Sequence, residues 1–165
     1  MTKDPSGWEL GIHPIILSAP FLAHYGPVSS NPSSPSSLRL QFVHADHVTH
    51  PTSHEAWVSE SWHSIGASQQ CKLQGVWRKG RVLTYQGHAE FDAFVNGETI
   101  KVFGAAWEEE MMQVAMKGVE ENGDDDRMWA AGVILKFFLE KADDVRVSEK
   151  WLDVVDVHEV GSGSE

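Results

Sequence analysis

A single cysteine, a shortage of basic residues and the absence of any long apolar run set the first limits on this 165-residue chain. One thiol, Cys71, cannot build an intrachain disulfide framework and is consistent with a reducing compartment. The 13 lysines and arginines face 24 acids, leaving a formal net charge of -11. That balance argues against phosphate backbones and anionic membrane surfaces as partners, because both reward clustered cations. No apolar run approaches the roughly 18 residues of a membrane span, and the opening MTKDPSG lacks the charged-then-apolar order of a signal peptide. These absences predict a cytoplasmic protein without nucleic-acid or membrane partners. No internal repeat supports a solenoid, and the length fits one domain.

The stretch GPVSSNPSSPSS, residues 26–37, cannot hold a helix and reads as a loop. After it LRLQFVHADHV, residues 38–48, opens with the alternation of a strand and runs into a polar loop. KLQGVW and RVLTYQ, on either side of RKG, form the pattern of an antiparallel hairpin. From Phe91 the apolar spacing predicts two helical segments broken by Gly97 and Gly104. EENGDDD, residues 120–126, reads as a solvated acidic turn and not a calcium loop; its aspartates suit the N-terminus of a last, largely buried helix over 127–141. This makes 1–141 one domain and 142–165 a charged, flexible tail, with a further short element at WLDVVDV.

Chemistry concentrates in YQGHAEFD, residues 85–92. If RVLTYQ is a strand that ends at GHAEF, side chains two apart share a face, and His88 and Glu90 project together. A carboxylate beside an imidazole is the orienter and general-base pair that activates a nucleophile, and Gly87 admits a close backbone or substrate. His-x-Glu also arises by chance, and the plainer reading is a satisfied surface or core pair.

Further phrases carry more weight together. Gln86-Gly87-His88-Ala89-Glu90-Phe91 resembles the last catalytic strand of the class I glutamine amidotransferases, with alanine where that family usually has proline. GWELG (7–11) looks like the segment those domains place after the nucleophile turn, LQFVHADHV like their H-x-D-x-V segment, and LQGVW like the strand before the catalytic one. The resemblance spans roughly residues 7–95. It implies an α/β fold: a partial, flavodoxin-like and partly parallel sheet with an antiparallel hairpin and flanking helices. It implies His88 as base and Glu90 as its orienter, with His44, Asp46, Trp8 and Gln86 on the substrate side and no cofactor. The family's Gly-x-Cys-x-Gly-type turn, which presents the attacking thiol, would fall before Met1 and is not among these residues.

Cys71 is a poor substitute. Closing the hairpin about Lys79 sets Trp77 opposite Arg81 and Cys71 opposite Gly87, on the face away from His88; a small buried apolar role fits it better. His44, His47, His50 and His54, with Asp46 among them, invite a metal reading, but no helix carries all four through Pro51, and no metal is expected. Trp8, Trp57, Trp62 and Trp77 flank the segments around His88, either as core or as the wall of an apolar pocket. MMQVAM, residues 111–116, reads as core filler.

The expected function is a glutamine amidotransferase-like protein that keeps the His/Glu pair, lacks the nucleophile and has no glutaminase activity of its own. The alternative is a small-molecule isomerase or cyclase acting on an apolar metabolite, which needs no covalent nucleophile. A third reading is a scaffold subunit. Removing central strands would bare sheet edges, so a second copy or a partner chain is expected to cover them.

Overall fold

The computed structural model describes residues 2–3, 7–48, 61–120 and 124–140. Eight strands and four helices follow along these residues: β1 Thr2–Lys3, β2 Glu9–Leu17, α1 Ala19–Tyr25, β3 Ser37–His44, β4 Asp46–His47, β5 His63–Ser64, β6 Gly66–Ala67, β7 Val76–Arg78, β8 Val82–Leu83, α2 Ala93–Phe103, α3 Glu109–Glu120 and α4 Arg127–Leu139. The strands form three sheets, in the orders β1-β4, β3-β2-β6 and β5-β7-β8. Every pairing among the described residues is antiparallel. None of the described helices is long and apolar enough to cross a membrane.

The long β2–β3 ribbon organises the rest. Its register runs from Glu9 opposite His44 to Ile16 opposite Ser37. Alternation along β3 sends Leu38, Leu40 and Phe42 into a cluster with Ile15, Phe21, Val28, Trp77, Ala130 and Val133. Val43, one residue out of phase, joins Ile100, Ala115 and Val119 on the opposite face, where Trp8, Leu10 and Met116 close over them. The ribbon is therefore covered on both faces, by α1 and α4 on one and by α2 and α3 on the other. Helix α3 lies close enough to β2 that Gly11, at φ +85°, meets the backbone of Gly118: a Cβ on Gly11 would sit 2.6 Å from the Gly118 carbonyl.

Local chemistry fixes the helix ends. Ser18 caps α1 by accepting the Phe21 N–H at 3.3 Å, and Asp92 caps α2 by accepting the Val95 N–H at 2.8 Å. Gly104 ends α2, its N–H returning to the Ile100 carbonyl. Gly97 does not break that helix as the sequence suggests; it is buried within it, where a side chain would meet the Met116 methyl at 3.3 Å.

Three further expectations change. The hairpin register is Trp77 opposite Leu83 and Arg78 opposite Val82, two residues from the sequence-based pairing, because the turn spans Lys79 to Arg81 with Gly80 at φ +59°. Helix α4 is not largely buried: Ala130 and Val133 face the core while Met128, Leu135, Phe138 and Leu139 are exposed. Among the described residues one flank of α4 is packed, tied by Trp129 Nε1 to the Pro27 carbonyl and by Lys136 Nζ to that of His24. The acidic turn is not fully solvated either. Asp126 is buried, accepting the Arg39 N–H at 2.8 Å, its guanidinium at 3.2 Å and the Ser30 hydroxyl at 2.7 Å. Asp126 thus pins α4 to β3 instead of capping the helix through its side chain. His50, His54, Trp57, WLDVVDV and the rest of the 142–165 segment lie outside the described residues.

Candidate functional site

Beyond β8 the chain keeps pairing with the strand before it, Gln86 N–H donating to the Gln74 carbonyl, and then turns onto β3. Gly87 makes that turn possible. A Cβ there would stand 2.8 Å from Phe42 Cζ and 2.9 Å from Leu40 Cβ, so any other residue would lift the backbone off β3. Pressed against the strand, His88 forms a β-bridge with Gln41, and its N–H donates to the Gln41 carbonyl at 2.8 Å. Gln41 is itself buried and held by Asn96 of α2, whose Nδ2 donates to Gln41 Oε1 at 2.7 Å and to the Phe42 carbonyl at 3.2 Å.

On this anchored backbone His88 Nδ1 lies 2.8 Å from Glu90 Oε1. A carboxylate only accepts, so Nδ1 carries a hydrogen, and in the neutral ring Nε2 presents the lone pair. The imidazole also stacks on Phe91, centroids 4.0 Å apart and planes 7° from parallel, which restricts its rotation. The His88 side chain is 30% exposed and that of Glu90 68%, so the pair opens to solvent. Partial burial pushes the Glu90 carboxyl up, but the His88 hydrogen bond outweighs it and holds the group below the ordinary carboxylate range.

The residues expected on the substrate side fall into two places. Trp8, His44 and Asp46 line one open groove of about 550 Å³, together with Val43 and Phe103. Trp8 is braced there by Trp107, ring centroids 4.9 Å apart. Gln86 is occupied as a tie. Its Nε2 donates to the Leu73 carbonyl at 3.0 Å and approaches Cys71 Sγ at 3.1 Å, and its Oε1 accepts the Val48 N–H at 3.0 Å. Cys71 is buried, with Sγ also directed at the Leu73 carbonyl. Among the tryptophans, Trp77 belongs to the core and Trp62 lies under the Arg78 guanidinium.

One cluster was not anticipated from the sequence. Glu9 is buried at the start of β2, where Ser68 Oγ donates to Oε1 at 2.6 Å and Gln74 Nε2 to Oε2 at 2.9 Å. His44 Nε2 approaches Oε2 at 3.2 Å. Burial alone would raise this carboxyl, but the His44 imidazole and the Ser68 and Gln74 donors outweigh it and keep it below its usual range. The signals in the sequence were separate ones, Glu9 within GWELG and His44 and His47 within the polar end of LQFVHADHV, with nothing local to join them.

No family model matches the chain. A Schizosaccharomyces pombe protein described as "Putative glutamine amidotransferase-like protein" is 32% identical over 140 residues, 84% of this chain and 50% of that protein. A Saccharomyces cerevisiae protein described as "Putative glutamine amidotransferase" is 32% identical over 93 residues, 56% of this chain and 31% of that one. The chain thus spans half or less of these curated relatives. The crystal structure of a glutamine amidotransferase from Thermotoga maritima matches with a TM-score of 0.57 over 83% of this chain and 54% of that one; at 14% identity this shows the fold alone.

Proposed function

This chain is glutamine amidotransferase-like in sequence and fold, and from that premise we propose that His88 and Glu90 are the general base and its orienter in hydrolysis of a side-chain carboxamide of the glutamine class. The observation that carries the reading is the 2.8 Å Nδ1–Oε1 contact on a backbone fixed to Gln41. It leaves Nε2 as the free base, the atom that must take a proton from an attacking thiol. The relatives' extra length is where this reading places the nucleophile. Cys71, buried beneath Gln86, is not assigned that role. Trp8, His44 and Asp46 would line the substrate groove, and Gln86, outside it, would tie the segment before His88 to Val48 and Leu73.

The test is ammonia release from glutamine. The chain alone should release none above the buffer rate. Mixed with the complementary half of the Schizosaccharomyces pombe relative as a separate polypeptide, it should gain a glutaminase activity that His88→Ala abolishes and Glu90→Gln reduces. Release that survives His88→Ala would sink the assignment.

A second reading keeps the solvent-open pair as the acid/base of an isomerase or cyclase on an apolar metabolite, with the Phe91 ring stacked on His88 as the apolar surface beside it. An apolar compound whose binding is lost in His88→Ala and indifferent to glutamine would select it. The exposed Met128, Leu135, Phe138 and Leu139 support a second copy or partner chain over α4, which sedimentation against concentration would detect. The lone buried thiol fits a cytoplasmic setting.

A further inference from the structure

We propose that Glu9, His44 and His47 form a binding site for a divalent transition-metal ion of the zinc class. The three come from β2, β3 and β4, and one ligand atom of each lies within 4.8 Å of the other two. Their assembly follows from register: Glu9 and His44 are direct cross-strand partners and so share a face of the ribbon. His47 enters from the short strand just beyond, its ring centroid 5.6 Å from that of His44.

The tautomer of His44 makes the case. Its Nδ1 lies 3.0 Å from the Asp46 carbonyl oxygen, which only accepts, so Nδ1 carries the hydrogen. In the neutral ring Nε2 then presents a lone pair, and it faces Glu9 Oε2, another acceptor, at 3.2 Å. Nε2 is buried, and among the described residues it meets no partner in hydrogen-bond geometry. Two acceptors confronting each other away from water call for a positive charge, either a second proton on the ring or a cation between the groups.

The surroundings fit the cation. A ring nitrogen that ligates a metal usually has its other N–H held by a carbonyl or carboxylate, as Asp46 holds that of His44. A ligating carboxylate is likewise oriented by donors, as Ser68 and Gln74 orient Glu9. Glu9 is 1% exposed and His47 9%, unlike a chance cluster of surface acids. Two imidazoles and one carboxylate suit zinc, cobalt, nickel or iron more than calcium or magnesium, and leave a coordination position open. Bonds of about 2.0–2.1 Å need ligand atoms some 3.3 Å apart, so a pair at the 4.8 Å limit must close by about 1.5 Å, within reach of side-chain rotation.

The test titrates the purified, chelator-treated full chain with zinc and follows its nine imidazoles by nitrogen-15 NMR. The expected result is one equivalent bound, with the His44 and His47 signals shifted and the other histidines unmoved. Cobalt in place of zinc should give a visible d–d spectrum that zinc bleaches. Glu9→Gln should weaken zinc at least tenfold. If that variant does not fold, Ser68→Ala, which keeps all three ligands, should still weaken it about tenfold through the lost orientation of Glu9. No binding, or zinc that shifts other histidines and leaves His44 and His47 at their metal-free positions, overturns the proposal. In that case Glu9 and His44 form a buried ion pair and nothing more.

Discussion

Gly11 and Gly118 touch, yet adding one methyl to each should move stability in opposite directions. In Gly11→Ala the new Cβ stands 2.6 Å from both the carbonyl carbon and oxygen of Gly118, atoms that move only if α3 moves. The backbone at φ +85° is also one that an L-residue holds at a cost of about 1–3 kcal/mol. Lifting the helix loosens the cluster of Val43, Ile100, Ala115 and Val119, an overpacking cost of about 1–3 kcal/mol. The sum is roughly 2–6 kcal/mol of destabilisation. Gly118→Ala has no comparable obstacle, since its Cβ would rest 3.4 Å from the Leu10 carbonyl oxygen and 3.7 Å from Gly11 Cα. It gains helix propensity, up to about 1 kcal/mol in a helix interior and less near the end of α3. Urea unfolding followed by tryptophan fluorescence measures both, with Trp8 and Trp107 reporting from this core. Equal effects, or a Gly118→Ala chain less stable than Gly11→Ala, would refute the helix–strand contact as the source of the asymmetry.

Asp126→Ala should cost about 2–4 kcal/mol by leaving the Arg39 N–H and Ser30 hydroxyl without their acceptor, while Arg39, partly exposed, turns to water. Thermal melts at two salt concentrations check this, and the loss should be nearly independent of salt because the carboxylate is buried. The Glu90 carboxyl is held below its unfolded value, so its contribution is present above about pH 4.5 and disappears as pH falls through the lower folded value. Wild type and Glu90→Gln should therefore differ by under ~1 kcal/mol at neutral pH and converge in acid, the pair being largely solvated. Divergence toward low pH in paired denaturation curves would contradict that sign. Tyr85→Phe removes a buried hydroxyl that has no hydrogen-bond partner among the described residues and should leave stability unchanged or raise it by about 1 kcal/mol, read as a shift of the urea midpoint.

What the sequence made legible, it made legible through short-range periodicity. The alternation in LRLQFVH identified β3, and RKG between two β-prone runs identified the hairpin, because both signals are local. Gly104 ended a helix as read, but Gly97 misled, since only the neighbouring Met116 reveals a close helix contact in place of a break. Apolar density in RMWAAGVILKFFL indicated a helix correctly and its burial wrongly, because density says nothing about what stands opposite. The His88–Glu90 contact was accessible from a two-residue spacing. Glu9 with His44 was not, since the partners lie 35 positions apart and meet only through the ribbon's register.

The main-chain bond from His88 to Gln41 makes one amide proton a reporter for the whole neighbourhood. Deuterium can replace it only when the segment carrying the imidazole peels away from β3. Its exchange lifetime would therefore time the excursions that dismantle the dyad. Truncating Asn96, whose amide steadies Gln41 from α2, should shorten that lifetime without touching either member of the pair.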